Sequence, residues 1–586
     1  MLQPITNHFT TLSYMHSKNA HLLDDSLLIL TMAVLAGCGL IYEYLLSHYA
    51  GRVLGVMEST IYTMIGLMIV SMGLGAFAAR KVRCAFNGFV VLELIIALLG
   101  SSAILLIGGL IALTQTLPQI IADMFALPPD MLPQGGIFNQ LSFLAINTPY
   151  FFGIIVGFFI GMEIPLIARI REQIHGQHLA NNLGTIYGAD YIGAGIGAAI
   201  WVIFLLSIDI SKAAAITASL NLIAGAFFVM RYWQQLHWRK TFVSLHFLLA
   251  IVIVLMFNYG NQWLNQMNSL LYLDKVVHVQ KTRYQQLTFT IRNMGFNATS
   301  TESGSVQQSI INFYLNGRLQ FSSIDEHIYH DYLVAPVLAG SARHDNILII
   351  GGGDGLALRD VLKYSPKNVT LIDLDSELID IFQHPKEHLT ASLARKISYL
   401  NQASLQDDRV TILRSDAFIT INDLLQSGQI FDAIIVDLPD PSHPDLNKLY
   451  SVNFYARLKQ LLSGDGLIAI QSTSPYHAKE SFISIGNTLS AANYAHVQQY
   501  HDNVPSFGEW GWTIAAKMGA SPLARLNKLE ALPIQATWLN LALLKSAFIF
   551  PNNFYKNKDD VGINILGSHT LYQLHQKAWK DQQGIP

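Results

Sequence analysis

Ile347-Leu348-Ile349-Ile350-Gly351-Gly352-Gly353-Asp354-Gly355 reads as a buried strand that ends in a glycine turn carrying an acid. Glycines at the carboxyl end of a parallel strand let the backbone approach a nucleotide-sized ligand, which is where open α/β sheets bind cofactors. Asp354 makes this turn unusual. A turn built for pyrophosphate presents amide donors, whereas a carboxylate there repels phosphate and attracts an ammonium or a sulfonium. The residues therefore point to a nucleoside with a positively charged tail.

Working outward, Leu356 to Tyr364 predicts an amphipathic helix, and Val369-Thr-Leu-Ile-Asp373-Leu-Asp375 a second strand ending in acids. An acid at the end of that strand can accept both hydroxyl hydrogens of a ribose. Val410 to Leu413 leads to Ser415-Asp416-Ala417, and Asp432 to Val436 leads to Asp437-Leu438-Pro439-Asp440-Pro441. Four strands in succession thus end in carboxylate, more than helix capping alone requires. Before the glycine turn, Val276 to Ile291 and Ile310 to Leu319 read as strands separated by a polar, Ser/Thr-rich turn, and Asp325 to Leu338 as a helix.

The rest of the chain has a different solvent. Of 586 residues, 51% are hydrophobic and only 13% charged, about half the usual charge density of a soluble protein. Apolar runs near 27–47, 60–79, 88–113, 143–168, 188–207, 212–230 and 242–258 are each long enough to cross the hydrocarbon core of a bilayer. The expected architecture is an α-helical membrane domain of about seven spans over 1–262, then a small β module over 270–325. A Rossmann-like, doubly wound α/β domain over 326–550 and a C-terminal tail over 551–586 complete it. Gly184-x-x-x-Gly188, Ala189-x-x-x-Gly193 and Gly193-x-x-x-Gly197 offer small faces for close helix packing. Glu43, Glu163 and Asp190 are acids within the apolar runs, where charge is costly and either marks a pathway or serves packing. The two cysteines, Cys38 and Cys84, leave the soluble half without a thiolate framework, and its histidines show no zinc spacing, so no metal is expected. A net charge of -3 without a basic stripe argues against a nucleic-acid partner.

Residues 275 to 550 resemble the polyamine aminopropyltransferases, spermidine synthase and its relatives. The resemblance rests on Tyr284-Gln285, Leu315-Asn316-Gly317-x-x-Gln320, Asp325-Glu326-x-x-Tyr329-His330, the glycine turn, Asp416-Ala417 and Asp437-x-x-Asp440-Pro441. Gly161-Met162-Glu163-Ile-Pro165-Leu and Tyr187 to Ala194 are similar to the multi-span domain fused to this enzyme in some bacteria. The resemblance implies transfer of the aminopropyl group of decarboxylated S-adenosylmethionine, a co-substrate and not a bound cofactor, to a diamine such as putrescine. It implies Asp437 as general base and Asp440, His330 and Asp354 as the amine and aminopropyl pocket. Gln285, Gly351, Gly353, Asp373, Asp416, Ala417 and Pro444 would contact the nucleoside. Asn316 stands where the family usually has Asp, and Leu438-Pro439 replaces a smaller pair.

Two other readings remain open at this level: an S-adenosylmethionine-dependent methyltransferase, or a membrane polyamine sensor or transporter with a degenerate synthase domain. Asp354 disfavours the first, whose cofactor carries a carboxylate, and retention of both Asp437 and Asp440 disfavours the second. The implied location is the cell (inner) membrane, with the lipid bilayer as a partner and the catalytic half in the cytoplasm; a homo-oligomer is compatible with the sequence. Topology conflicts with this. Arg80, Lys81, Arg83, Arg169, Arg171, Arg231, Arg239 and Lys240 fall in even-numbered loops, so seven spans obeying the positive-inside rule would put the catalytic half outside. A re-entrant run or one further crossing is the expected resolution.

Overall fold

The structure is a computed structural model that describes residues 6–54, 57–125, 136–175, 181–270, 272, 274–293 and 309–583. It divides into two compact units, 1–273 and 274–586.

The first unit is helical: α1 (Thr6–Leu54), α2 (Met57–Ala78), α3 (Ala85–Met124), α4 (Ile137–Ile160), α5 (Glu163–His175), α6 (Asn182–Ile203), α7 (Ile210–Arg231) and α8 (Arg239–Ser269). Among the described residues, seven helical stretches are long and apolar enough to cross a membrane, at Asp24–Gly51, Thr60–Lys81, Ala85–Thr114, Phe143–His175, Asn182–Ser207, Ile210–Arg231 and Arg239–Met267. They coincide with the seven runs read from the sequence. Phe77, Ile192, Ile223 and Phe247 are exposed apolar side chains on this unit, as expected of helices whose solvent is lipid. Small residues let α1 and α6 touch backbone to backbone. A Cβ on Gly193 would lie 1.9 Å from the Ala33 carbonyl oxygen, and one on Gly197 2.5 Å from that of Gly37. Gly184 and Gly188 meet nothing, so the first of the expected small faces is not a contact.

Polar groups tie one end of this bundle. Arg171 and Arg231 pair with Asp25 and Asp24 on α1, and Arg169 donates to the carbonyls of Ala79 and Val82. Within the unit, Glu43, Glu93 and Glu163 are buried; Asn221 donates to Glu93 at 3.0 Å, and Asp190 is half-buried.

The second unit begins with an antiparallel sheet of β1 (Lys275–Lys281), β2 (Gln286–Asn293), β3 (Ser309–Leu315) and β4 (Arg318–Ser322), in that order. Each strand expected here is in fact part of a hairpin. Val276 to Ile291 breaks at 282–285, where Thr282 Oγ1 accepts from the amides of Tyr284 and Gln285. Ile310 to Leu319 breaks at Asn316-Gly317, both in the left-handed region and suited to a tight two-residue turn. The expected Ser/Thr-rich turn over 294–308 lies outside the described residues.

Then follow α9 (Glu326–Gly340), β5 (Asn346–Gly351), α10 (Leu356–Leu362), β6 (Asn368–Asp373), α11 (Ser376–Gln383), α12 (Pro385–His388) and α13 (Ala391–Asn401). After these come β7 (Val410–Arg414), α14 (Ala417–Gln426), β8 (Phe431–Asp437), α15 (Val452–Leu461), β9 (Leu462–Gln471), α16 (Lys479–Ala491), β10 (His496–Val504) and β11 (Gly508–Ala516). The seven-stranded sheet runs β10-β11-β9-β8-β5-β6-β7, parallel from β9 to β7 and antiparallel at β10 and β11. Ile347 to Ile350 and Ala433 to Val436 are wholly buried, as the unbroken apolar runs of a sheet covered on both faces require. The chain closes with α17 (Pro522–Leu526), α18 (Leu541–Ser546) and α19 (Thr570–Gln583). The expected tail over 551–586 is, in its described part to 583, not loose: Leu571 joins the core with residues of β8 and β9, because α19 presents an apolar face there.

A chain beginning at Asp274 is expected to fold alone, since its core clusters contain only residues of the second unit. Circular dichroism should show one cooperative thermal transition. A non-cooperative melt would mean that the sheet requires the helical first unit.

Candidate active site

Strand order decides which side chains meet. Because β8, β5, β6 and β7 are adjacent and parallel, the acids that follow them gather on one edge. Gly351 has φ of +82°, and a Cβ there would sit 2.0 Å from the Asp437 carbonyl oxygen, so only glycine lets β5 end against β8. Gly353 donates its amide to Asp373 Oδ2 at 3.0 Å, and Asp375 donates to Oδ1 at 2.9 Å. Asp354 Oδ1 accepts the Leu356 amide at 2.9 Å in the first turn of α10.

These carboxyls are partly buried, and their charge is poorly solvated. Desolvation pushes Asp373 up to about 6 in spite of its two amide donors. It pushes Asp354 to about 6 as well, against the pull of His330 and with the help of Asp437. Asp437 is also raised by desolvation, opposed by His330 and by a 2.7 Å hydrogen bond from the Tyr329 hydroxyl. The Tyr329 hydroxyl is itself held far above its ordinary value by burial and by Asp437, so it donates to the carboxylate and stays neutral.

His330 is the cation among these acids. Its Nδ1 lies 2.7 Å from the Glu326 carbonyl oxygen and 2.9 Å from Glu326 Oε2, one helical turn away on α9. Burial disfavours its charge, but Glu326, with Asp437 and Asp354 beyond it, carries the imidazole up to about 9. Arg359 fixes Glu326 from α10 with bonds of 2.7 and 3.1 Å. Burial would raise Glu326, yet His330 and Arg359 outweigh it and hold the carboxyl near about 2.

Asp440 has the opposite environment from Asp437. Gln471 donates to Oδ1 at 2.8 Å, Thr473 to Oδ2 at 3.3 Å, and His575 Nε2 lies 3.3 Å from Oδ2. Desolvation alone would raise this carboxyl, but His575, Gln471 and the charge of Arg318 bring it below its ordinary value. Asp440 follows Asp437, the partner of Tyr329, by three residues on the segment that leaves β8.

The remaining expected residues are arranged around this centre. Asp416 caps α14 through the Phe418 amide and pairs with Lys448 at 2.6 Å, beside the buried Ala417. Gln285 donates to Asp375 at 2.9 Å, from the hairpin turn and not from within a strand. Pro444 is buried at the start of a 3-10 turn. Trp512 lies wholly in the core, stacked on Tyr332 and Tyr500, and both it and Phe507 meet the Tyr329 ring, with centroids 5.7 and 6.1 Å away. Asn316 spends its side chain on the Gln286 amide, a turn role. Sequence reading gave no role to Tyr329, Glu326, Arg359, Arg318, Gln471, Thr473 or His575. The first two stood inside a quoted motif; the others become visible only when distant elements pack.

The His330–Glu326 pair has a signed consequence. An imidazole whose folded value of about 9 exceeds its ordinary 6.5 contributes stability that is complete below about pH 6.5 and lost as pH rises through 9. The full contribution is on the order of 3 kcal/mol. Thermal midpoints should fall between pH 7 and 9.5, and Glu326→Gln should lower the neutral-pH midpoint and flatten that decline. An equally steep decline in the variant would assign it to another group.

Comparison with known proteins gives this arrangement its context. Residues 326–527 match the spermine/spermidine synthase domain family. The chain is 56% identical over 562 residues to a polyamine aminopropyltransferase of Shewanella oneidensis, covering 96% of each. It is 30% identical to polyamine aminopropyltransferase 1 of Streptomyces coelicolor, covering 97% of this chain and 96% of that one. A solved spermidine synthase in complex with the transition state analogue AdoDATO aligns with 49% of this chain and 90% of that one, at 23% identity and a TM-score of 0.40. With a relative this similar along nearly its whole length, and acids converging where the synthase motifs fall, the chain belongs to the polyamine aminopropyltransferase family.

Proposed function

We propose that this enzyme transfers the aminopropyl group of decarboxylated S-adenosylmethionine to putrescine, giving spermidine and 5′-methylthioadenosine, with Asp437 as base and Asp440 as acceptor ligand. The observation that carries the assignment is the opposite surroundings of the two acids: Asp437 takes one neutral donor, the Tyr329 hydroxyl at 2.7 Å, while Asp440 collects Gln471, Thr473 and His575, so that burial raises the first and its partners lower the second. Environments that push paired carboxyls apart divide proton transfer from charge binding.

The attacking amine carries a proton at neutral pH, since such amines ionise near 10, and freeing it costs about 4 kcal/mol. A sulfonium nearby lowers that cost by like-charge repulsion, and a carboxylate raised by desolvation narrows the gap from the other side. The amine nitrogen then bonds to the methylene carbon as the carbon–sulfur bond breaks. The electron pair leaves on sulfur as a neutral thioether, and the amine's proton rests on Asp437. Tyr329 steadies the Asp437 carboxylate with its hydroxyl. Asp354 meets the ammonium of the aminopropyl tail, with His330 limiting the excess of negative charge around it. Asp373 receives the ribose; Asp416 and Ala417 border the base, with Gln285 and Pro444 at the pocket wall.

The proposed location is the cell membrane, with the catalytic half on the cytoplasmic side where the co-substrate is made. Three of the arginines that argue otherwise are engaged in the bundle, Arg171 and Arg231 with aspartates and Arg169 with carbonyls, which weakens them as orienting charges. Reporter fusions after Phe257 and at the carboxyl end decide the orientation.

The activity is tested by incubating purified protein with decarboxylated S-adenosylmethionine and a panel of amines, with mass detection of products. Asp437→Asn is expected to lower kcat by about 10²-fold or more while methylthioadenosine still binds, because the shape is kept and the base removed. Near-normal turnover in that variant would move the base elsewhere.

A further inference from the structure

Helix α19 lies beyond residues 326–527, the segment that matches the synthase family, yet it delivers His575 to the acid site. We propose that α19 and Arg318 form a length gate at the far end of the acceptor pocket, so that the site takes a short diamine and rejects longer polyamines. The inference rests on the acceptor reading above and adds the residues that set acceptor length.

An ionised carboxylate offers about four lone-pair positions. Gln471, Thr473 and His575 occupy three of those on Asp440, leaving room for one ammonium. His575 closes off one side of Asp440 as it donates, its own side chain only 1% exposed against 16% for the carboxyl. That wall is fixed. The Tyr572 amide donates to Asn447 Oδ1 at 3.1 Å, Asn564 donates to the Asn447 carbonyl at 2.8 Å, and Leu571 is wholly buried. Arg318, at the start of β4, is a half-buried guanidinium whose charge is favoured by that of Asp440. A triamine with one terminus at Asp437 and its middle nitrogen at Asp440 would bring a third positive charge toward a guanidinium and into the α19 wall. A diamine ends at Asp440 and meets neither penalty.

The test uses the full-length enzyme, decarboxylated S-adenosylmethionine, and putrescine or spermidine as acceptor. Wild type should favour the diamine. His575→Ala and Arg318→Gln should each raise the spermidine-to-putrescine ratio of kcat/KM by about tenfold, through the acceptor KM and not that of the co-substrate. His575→Gln keeps a side-chain N–H donor and should return the ratio toward that of wild type. Methylthioadenosine binding reports whether each variant is folded. An unchanged ratio in both folded variants overturns the gate, as does a loss spread equally over kcat and both KM values, which is the mark of a purely structural role. Wild type that transfers to no amine removes the acceptor reading and the gate with it; wild type that transfers while the variants keep its preference removes the gate alone.

Discussion

Negative charge gathered out of water at the carboxyl edge of the seven-stranded sheet is the constraint on which the catalytic half depends. Asp354, Asp373 and Asp437 sit on three neighbouring strand ends, and each is pushed upward by desolvation. Like charges this close in a medium less polar than water repel by several kcal/mol unless a cation joins them. The chain supplies one, His330, and keeps it charged through Glu326 and Arg359. A ligand bearing a sulfonium and an ammonium supplies the rest. Binding energy and charge neutralisation are then one process, which gives a physical reason for a cationic nucleoside where phosphate would be rejected.

The same edge must hold its geometry while it carries that repulsion, and α9 is the element that enforces this. It bears Tyr329 and His330 and is fixed on three sides. Tyr332 stacks on Trp512, and its carbonyl accepts from the Tyr500 hydroxyl at 2.8 Å; Asp331 accepts the amides of Trp538 and Leu539 at 2.7 and 3.2 Å. The aromatic segment near Trp512 therefore serves the site at one remove, by packing the helix that presents Tyr329 to Asp437. Asp437 and Asp440, three residues apart, diverge because one faces a neutral phenol and competing acids while the other collects donors from β9, its following loop and α19.

Much of this was legible in the sequence because it is local. Seven apolar runs, the strand ending in Gly351-Gly352-Gly353-Asp354, and acids after successive apolar strands are each contained in one short continuous stretch of chain. The hairpin break at 282–285 did not, because Thr-Arg-Tyr-Gln lacks the usual glycine, proline or asparagine and is held by the Thr282 hydroxyl. The role of Arg359 depends on α10 packing against α9, and that of His575 on a helix that follows Asp440 by more than a hundred residues. Periodicity places such helices but says nothing of which polar residue meets which. The expected tail illustrates the limit: Leu571 and His575 are i, i+4 on one face, a pattern short enough to pass for a solvated helix until the core that receives it is known.

Proton linkage addresses the central claim most directly. A carboxyl held at about 6 is near half-protonated at pH 6, and a cation bound beside it should expel that proton. Titration calorimetry at pH 6, in buffers of different ionisation enthalpy, counts the protons released when each ligand binds. Decarboxylated S-adenosylmethionine should release about half a proton more than the uncharged methylthioadenosine, and Asp354→Asn should abolish the difference. Equal counts for the two ligands in the unaltered protein would contradict the account, because the acids would then not be reading the ligand's positive charge.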